Sequence, residues 1–254
     1  MENIKEFIKK EIEDSIKSSK VSELYRSPLV GFANAQNSLF NELKSIVHEG
    51  HALPEDILKG GKTVVSFFVP FTGEVVKNNA KYQETTRDWA EAKKDTEELI
   101  NETIDKIRIK LNSLGIQASD NPGKGTFDTV RFIHKWSQRH VAYICGLGNF
   151  GINNMLITKI GCAGRYGSFI IDRAVKYDEV VKEEYCLYKR NKTCGACIKN
   201  CPVGALSYEG TDKAKCSSRL DYMADKYFDG IHIYSSCGKC ICEPCATKNP
   251  TEKI

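Results

Sequence analysis

Nine cysteines fall between Cys186 and Cys245, and their spacing points to metal chemistry. Cys194-Gly-Ala-Cys197-Ile-Lys-Asn-Cys201-Pro202 reads C-x2-C-x3-C-P, the later part of the C-x2-C-x2-C-x3-C-P run that wraps thiolates around iron–sulfur cubanes. In that run the closely spaced thiolates share one cluster and the cysteine before proline reaches a second, so one segment serves two sites. Val203, Ala205 and Leu206 supply apolar cover that limits solvent near the metal. The first position of the run is Asn191, a poor substitute for a thiolate. Cys186, five residues earlier, replaces it through a longer excursion from Leu187 to Thr193.

A second group follows: Cys216, then Cys237-Gly-Lys-Cys240-Ile-Cys242-Glu-Pro-Cys245. Together the groups offer nine cysteines for the eight ligand positions of two [4Fe-4S] clusters. By the crossing rule Cys186, Cys194 and Cys197 hold one cluster, completed by Cys245 or Cys242. Cys201, Cys216, Cys237 and Cys240 hold the other. Zinc is the competing reading, because paired C-x2-C motifs also build zinc ribbons; the Cys-Pro after an x3 step and the ligand count favour cubanes. Cys145 and Cys162 lie outside this set and read as small buried residues.

The surrounding composition is that of an ordinary globular chain: 254 residues, 41% hydrophobic, 28% charged, with a formal charge of +4. It excludes a disordered tail, a collagen-like repeat and a basic nucleic-acid arm. The N-terminus alternates charges and lacks an apolar signal core, and the apolar run Val64 to Phe71 is far too short to span a membrane. A cytoplasmic protein without membrane or nucleic-acid partners is expected, and in a reducing compartment the cysteines bind metal in preference to forming disulfides.

Two segments with different textures must position these thiols. Residues 1–18 place Ile4, Phe7, Ile8, Ile12 and Ile16 at helical spacing. Lys62 to Phe71 is β-branched and aromatic and reads as a buried strand; Thr85 to Leu114 reads as a long helix that Gly115 ends. Val141 to Cys145, Met155 to Thr158 and Ser168 to Asp172 read as further strand-like pieces. An α/β or α+β layered domain over 1–185 is therefore predicted. From Cys186 to Ile254 the chain has short segments, little periodicity and the whole excess of positive charge, 11 basic against 7 acidic residues. Such a stretch needs a metal staple.

Between the two lies Cys145-Gly146-Leu-Gly148-Asn-Phe-Gly151-Ile-Asn-Asn154, a G-x-G-x-x-G pattern. A dinucleotide fingerprint requires a helix after the glycines to receive the pyrophosphate, whereas Ile152 to Thr158 reads as turn and strand. A tight turn that needs glycine for its backbone and a close cofactor contact are both consistent with the pattern.

Trp136-Ser-Gln-Arg139-His140-Val-Ala-Tyr143-Ile-Cys-Gly146-Leu-Gly148-Asn-Phe-Gly151-Ile-Asn-Asn154-Met-Leu-Ile-Thr158, then Gly164-Arg165-Tyr-Gly167-Ser168, then the cysteine run, together resemble the epoxyqueuosine reductase and reductive dehalogenase superfamily from about Lys62 to Cys245. The resemblance implies a nitroreductase-like layered α/β domain that binds a corrinoid, cobalamin, followed by a two-cluster ferredoxin-like module that delivers electrons to its cobalt. It implies cofactor contacts from Gly146, Gly148, Gly151, Asn154, Arg165 and Gly167, and a ferredoxin or flavodoxin as electron donor. His134, His140 and Tyr143 are the candidate proton donors, and Arg139 and Arg165 candidate partners for an anionic substrate or a corrinoid side chain.

The chain also departs from the family pattern. Epoxyqueuosine reductases carry an Asp-Ser-x-Pro element upstream of the Gly-Leu-Gly turn, with the Asp as proton donor; here the region reads Arg131-Phe132-Ile133-His134-Lys135-Trp136. They also carry a C-terminal helical-repeat extension that helps grip tRNA, whereas this sequence stops nine residues after Cys245. The expectation is a minimal cytoplasmic reductase of a small molecule. The alternative is an electron-transfer or reductive-activating protein for a corrinoid protein partner.

Overall fold

The structure is a computed structural model and describes residues 4–128, 133–231 and 236–252. In chain order the elements are α1 (Ile4–Lys17), β1 (Leu29–Asn34), α2 (Leu39–Ile46), α3 (Pro54–Ile57), β2 (Thr63–Pro70), α4 (Gly73–Lys81), α5 (Arg87–Ser113), β3 (Phe127–Asp128), β4 (Ile133–His134), α6 (Gln138–Ile144), β5 (Gly148–Phe150), β6 (Leu156–Thr158) and β7 (Gly164–Ile171). The cysteine-rich segment adds α7 (Leu187–Asn191), α8 (Ala196–Lys199) and α9 (Lys213–Phe228).

β2 is the centre of a three-stranded antiparallel sheet, β1-β2-β7, and every one of its residues is buried. Strand alternation sends Val65, Phe67 and Val69 into one core with Ile8 and Ile12 of α1 and Ile100, Ile104 and Ile107 of α5. Val64 on the opposite face joins Phe40 and Leu43 of α2 with Val141 and Ile144 of α6. The sheet is thus covered by helices on both faces, which explains why β2 reads as a continuous apolar run.

α5 places Trp89, Thr96, Leu99, Ile100, Thr103, Ile104, Ile107 and Leu111 on its buried face. Thr86 caps its first turn by accepting from the Trp89 N–H at 3.4 Å. At the other end Gly115 takes φ +71, and the Ile116 N–H closes on the Leu111 carbonyl at 3.0 Å.

Two elements differ from the sequence reading. Val141 to Cys145 belongs to α6 and not to a strand: Val141, Ala142 and Ile144 are buried together, and so short an apolar run carries no decisive period. α9 is a 16-residue helix where no periodicity is legible, because only Met223 and Ala224 are buried and the rest of its surface is polar or partly open.

The cysteine-rich segment is fastened to the α/β layers. The Cys162 N–H donates to the carbonyls of Cys245 and Ala246 at 2.9 and 3.0 Å, and the Ala163 N–H to Ala246 at 2.8 Å. Arg26 reaches the carbonyls of Phe71, Ile160 and Thr247, joining the start of the sheet to the end of the chain. Ala246 is itself buried in the core of α1 and α5.

A candidate iron–sulfur centre

The cysteines collect into two groups. Cys186 stands at the N-cap of α7, Cys194 and Cys197 bracket the start of α8, and Cys242 and Cys245 approach from the last turns of the chain. These five line one shallow recess, together with Ile152, Ile157 and Tyr188. Burial and then the neighbouring sulfurs of Cys245, Cys242, Cys186 and Cys194 push the Cys197 thiol up to about 12; burial and Cys245 push Cys242 to about 11. Thiols held this close in apolar surroundings ionise when a metal compensates their charge.

Cys201, Cys216, Cys237 and Cys240 form the second group. Burial raises Cys240, with Cys237 and Cys216 adding to the effect; burial raises Cys216, with Cys237 and Cys201 adding. Cys216 sits in the first turn of α9, and the Ala205 N–H donates to the Cys201 sulfur at 3.2 Å. The donor set is sulfur throughout. Among the described residues no three His, Cys, Asp or Glu side chains are gathered as tightly as a single metal ion requires.

Cys145 is buried, with its S–H directed to the Val64 carbonyl at 3.6 Å. Cys162 is buried too, yet its S–H points at the Cys245 sulfur, 3.9 Å away. That contact holds the Cys245 thiol below its ordinary range and the Cys162 thiol well above. The first recess is thus bordered by a sixth sulfur from a residue read as isolated.

The glycine turn is packed against protein. A Cβ on Gly148 would lie 2.0 Å from the Ile157 carbonyl across the β5–β6 pair, one on Gly146 2.4 Å from the Glu179 carbonyl, and one on Gly151 2.7 Å from Asn153 Oδ1. Gly167 meets Ile100 and Phe67 in the core. Asn154 has φ +56; its Nδ2 donates to Thr211 Oγ1 at 2.8 Å and its carbonyl accepts from Arg139 at 2.6 Å. These contacts account for glycine at the turn, where a larger residue would meet neighbouring protein.

His140 makes a 2.8 Å hydrogen bond with Ser137 Oγ and rests 4.6 Å from the Phe150 ring, which also neighbours Tyr143 at 6.2 Å. Burial and the charge of Arg139 pull its pKa down to about 4. His134, on β4, lies apart from it, toward Arg139, Arg165, Glu97 and Lys93; desolvation and the two arginines pull it to about 4 as well. Both rings are neutral at pH 7. Arg131 and Phe132 lie outside the described residues.

Several side chains that sequence reasoning missed tie the two parts together. Asn153 Nδ2 donates to the Cys240 carbonyl at 2.9 Å, Asn79 Nδ2 to the Cys237 carbonyl at 3.1 Å, and Thr85 Oγ1 to the same carbonyl at 3.0 Å. Only Asn153, directly behind the glycine turn, carried a positional signal.

With its mixed α/β domain and sulfur-lined end, the chain resembles epoxyqueuosine reductases in sequence, and epoxyqueuosine reductases and reductive dehalogenases in fold. No family model matches it. It is 26% identical over 169 residues to the epoxyqueuosine reductase of Leadbetterella byssophila, a match covering 66% of this chain and half of the relative's length. Its fold matches an epoxyqueuosine reductase solved with an epoxyqueuosine-modified tRNA-Tyr stem loop (TM-score 0.58, 18% identity, 96% of this chain and 66% of that one). It also matches a reductive dehalogenase whose structure suggests B12-dependent dehalogenation (TM-score 0.55, 16% identity, 84% of this chain and 29% of that one). The stem loop in the first of these runs against the expectation of a partner set without nucleic acid. No helix among the described residues is long and apolar enough to cross a membrane.

Proposed function

We propose that the chain is an iron–sulfur oxidoreductase in which two [4Fe-4S] clusters pass electrons to a small-molecule substrate. In this reading residues 186–254 form the ferredoxin-like module and residues 1–185 a nitroreductase-like domain that receives its electrons. Cys186, Cys194, Cys197 and Cys245 hold one cluster, with Cys242 beside them, and Cys201, Cys216, Cys237 and Cys240 hold the other. The supporting observation is the gathering of the thiols: cysteines far apart in sequence line one recess, and Cys216 neighbours Cys237 and Cys201 beside it.

The chain's own residues would do three things. The thiolates carry the clusters; Ile152, Ile157 and Tyr188 exclude water from the first; Asn153, Asn79 and Thr85 hold the backbone of Cys240 and Cys237 in place. A cytoplasmic ferredoxin or flavodoxin is the proposed donor. A corrinoid acceptor, cobalamin, has its support in the B12-dependent neighbour.

The test is iron, acid-labile sulfide and cobalt per chain after anaerobic production with cobalamin supplied. About eight iron and eight sulfide are expected. About one cobalt would extend the reading to the corrinoid; iron near zero would overturn it. Reoxidation of the reduced clusters by an epoxyqueuosine-modified stem loop would move the substrate from a small molecule to RNA.

A further inference from the structure

Cys162 and Cys245 are 83 residues apart, and their sulfurs face each other at 3.9 Å. The main chains are joined at the same point. The Cys162 N–H donates to the Cys245 carbonyl at 2.9 Å and to the Ala246 carbonyl at 3.0 Å, and the Ala163 N–H donates to Ala246 at 2.8 Å. Gly161 lets the segments approach closely: a Cβ there would fall 2.3 Å from the Ala246 carbonyl oxygen, and its φ of +98 is one that glycine adopts freely. Ala246 is anchored in the core of α1 and α5. The fold itself therefore holds the two thiols together.

A disulfide spans Cα atoms about 4.4–6.8 Å apart and brings its sulfurs to about 2 Å. Residues whose backbones share an N–H···O=C bond lie within that span. Closing the remaining gap asks for rotation of two side chains and no shift of backbone. The two sulfurs also differ in access. Cys245 borders the recess shared with Cys186, Cys194, Cys197 and Cys242, whereas Cys162 is 2% exposed and packed with Ile157 and Ile241. An oxidant entering the recess meets Cys245 first, with the S–H of Cys162 already directed at the same sulfur. An accessible thiol with a second thiol beside it is oxidised reversibly to a disulfide in preference to sulfinic acid.

We propose that Cys162 and Cys245 close into a disulfide when a peroxide reaches the first sulfur group, and that this bond withdraws Cys245 from metal. The Cys245 sulfur attacks one peroxide oxygen; the O–O bond breaks, the sulfur becomes a sulfenic acid and the other oxygen leaves as water. The Cys162 sulfur then attacks the Cys245 sulfur; the S–S bond forms, the S–O bond breaks and a second water leaves. Two thiols give up two electrons and two protons to one hydrogen peroxide. A reductant of disulfides reverses the change. The disulfide stands on the geometry alone, while its effect on metal loading rests on the iron–sulfur reading and on Cys245 as a ligand of the first cluster.

The test treats the iron-loaded full chain with hydrogen peroxide in the absence of air, alkylates the free thiols and maps linked peptides by mass spectrometry. A Cys162–Cys245 link is expected as the main disulfide, and Cys162→Ala should carry sulfinic acid at Cys245 in its place. With iron and sulfide supplied again, the oxidised wild type should regain about half of its iron, and all of it after reduction with a phosphine. Cys145→Ala, whose S–H is directed at the Val64 carbonyl in the wild type, serves as the control and should behave like wild type. A main link from Cys245 to any thiol other than Cys162, or Cys162 found alkylated throughout, would overturn the disulfide. Full recovery of iron with the link intact would overturn its effect on loading. A Cys162–Cys245 link in a chain that takes up no iron even before oxidation would leave the disulfide standing and sink the iron–sulfur reading instead.

Discussion

Gly238 lies directly against the indole of Trp89. A Cβ at 238 would fall 2.1 Å from Trp89 Cε2 and 2.4 Å from its Nε1, while that Nε1 donates to Ser236 Oγ at 2.9 Å. The glycine sits inside Cys237-Gly-Lys-Cys240 with φ +70, so the turn carrying two thiols of the second group is moulded on the first turn of α5.

Gly238→Ala therefore meets two penalties, a left-handed backbone and a ring that cannot retreat from the core. A loss of at least ~2 kcal/mol in thermal stability is expected, together with reduced iron. A melt and an iron assay on the same preparation check it. Wild-type values for both would mean that this turn is not seated on Trp89.

The division of the cysteines predicts opposite results for two buried or half-buried thiols. Cys194→Ala should remove about half of the iron and destabilise the C-terminal segment, because metal binding contributes to its folding free energy. Cys145→Ala should leave iron content unchanged. Iron loss in the second variant would redraw the ligand set.

Cys162 gives a subtler prediction through its S–H to the Cys245 sulfur. Hydrogen bonds to cluster sulfurs favour the reduced, more negative state and raise the potential. Cys162→Ala should lower the midpoint potential of one cluster in a redox titration followed by EPR, with iron at the wild-type level. A matched pair, Cys242→Ala and Cys245→Ala, identifies the remaining ligand: iron falls in one and stays in the other.

His140 sets a pH window. Its folded pKa of about 4 lies below the ordinary 6.5, so between these values the unfolded chain binds a proton that the native ring refuses. Stability should decline as pH falls from about 6.5 to about 4 and level off below, with full stability above the window. His134 is displaced in the same direction, so the difference between wild type and His140→Gln in urea midpoints isolates the His140 share. NMR of the ring should show it titrating near 4.

Part of the thiol grouping was legible because it is written in local spacing. A C-x2-C-x3-C-P run constrains its own sulfurs within a turn or two, and the long α5 and the buried β2 declare themselves by period and by β-branched content. The partner of Cys245 was not legible. Cys162 reaches it across 83 residues through a three-bond backbone seam, and no spacing rule registers such a contact. α6 escaped because a five-residue apolar run is silent about its period, and α9 because so little of it is buried.

The sequence by itself determined where the thiols are spaced closely and that the basic excess lies in the same segment, because thiol spacing and charge are properties of the chain. Only the tertiary structure decided what surrounds them. The glycine turn closed on backbone carbonyls, Arg165 met Glu97 across a sheet edge and a helix, and Trp89 became the floor of a cysteine turn. These depend on long-range packing, where a side chain's role is set by whichever distant surface the fold presses against it.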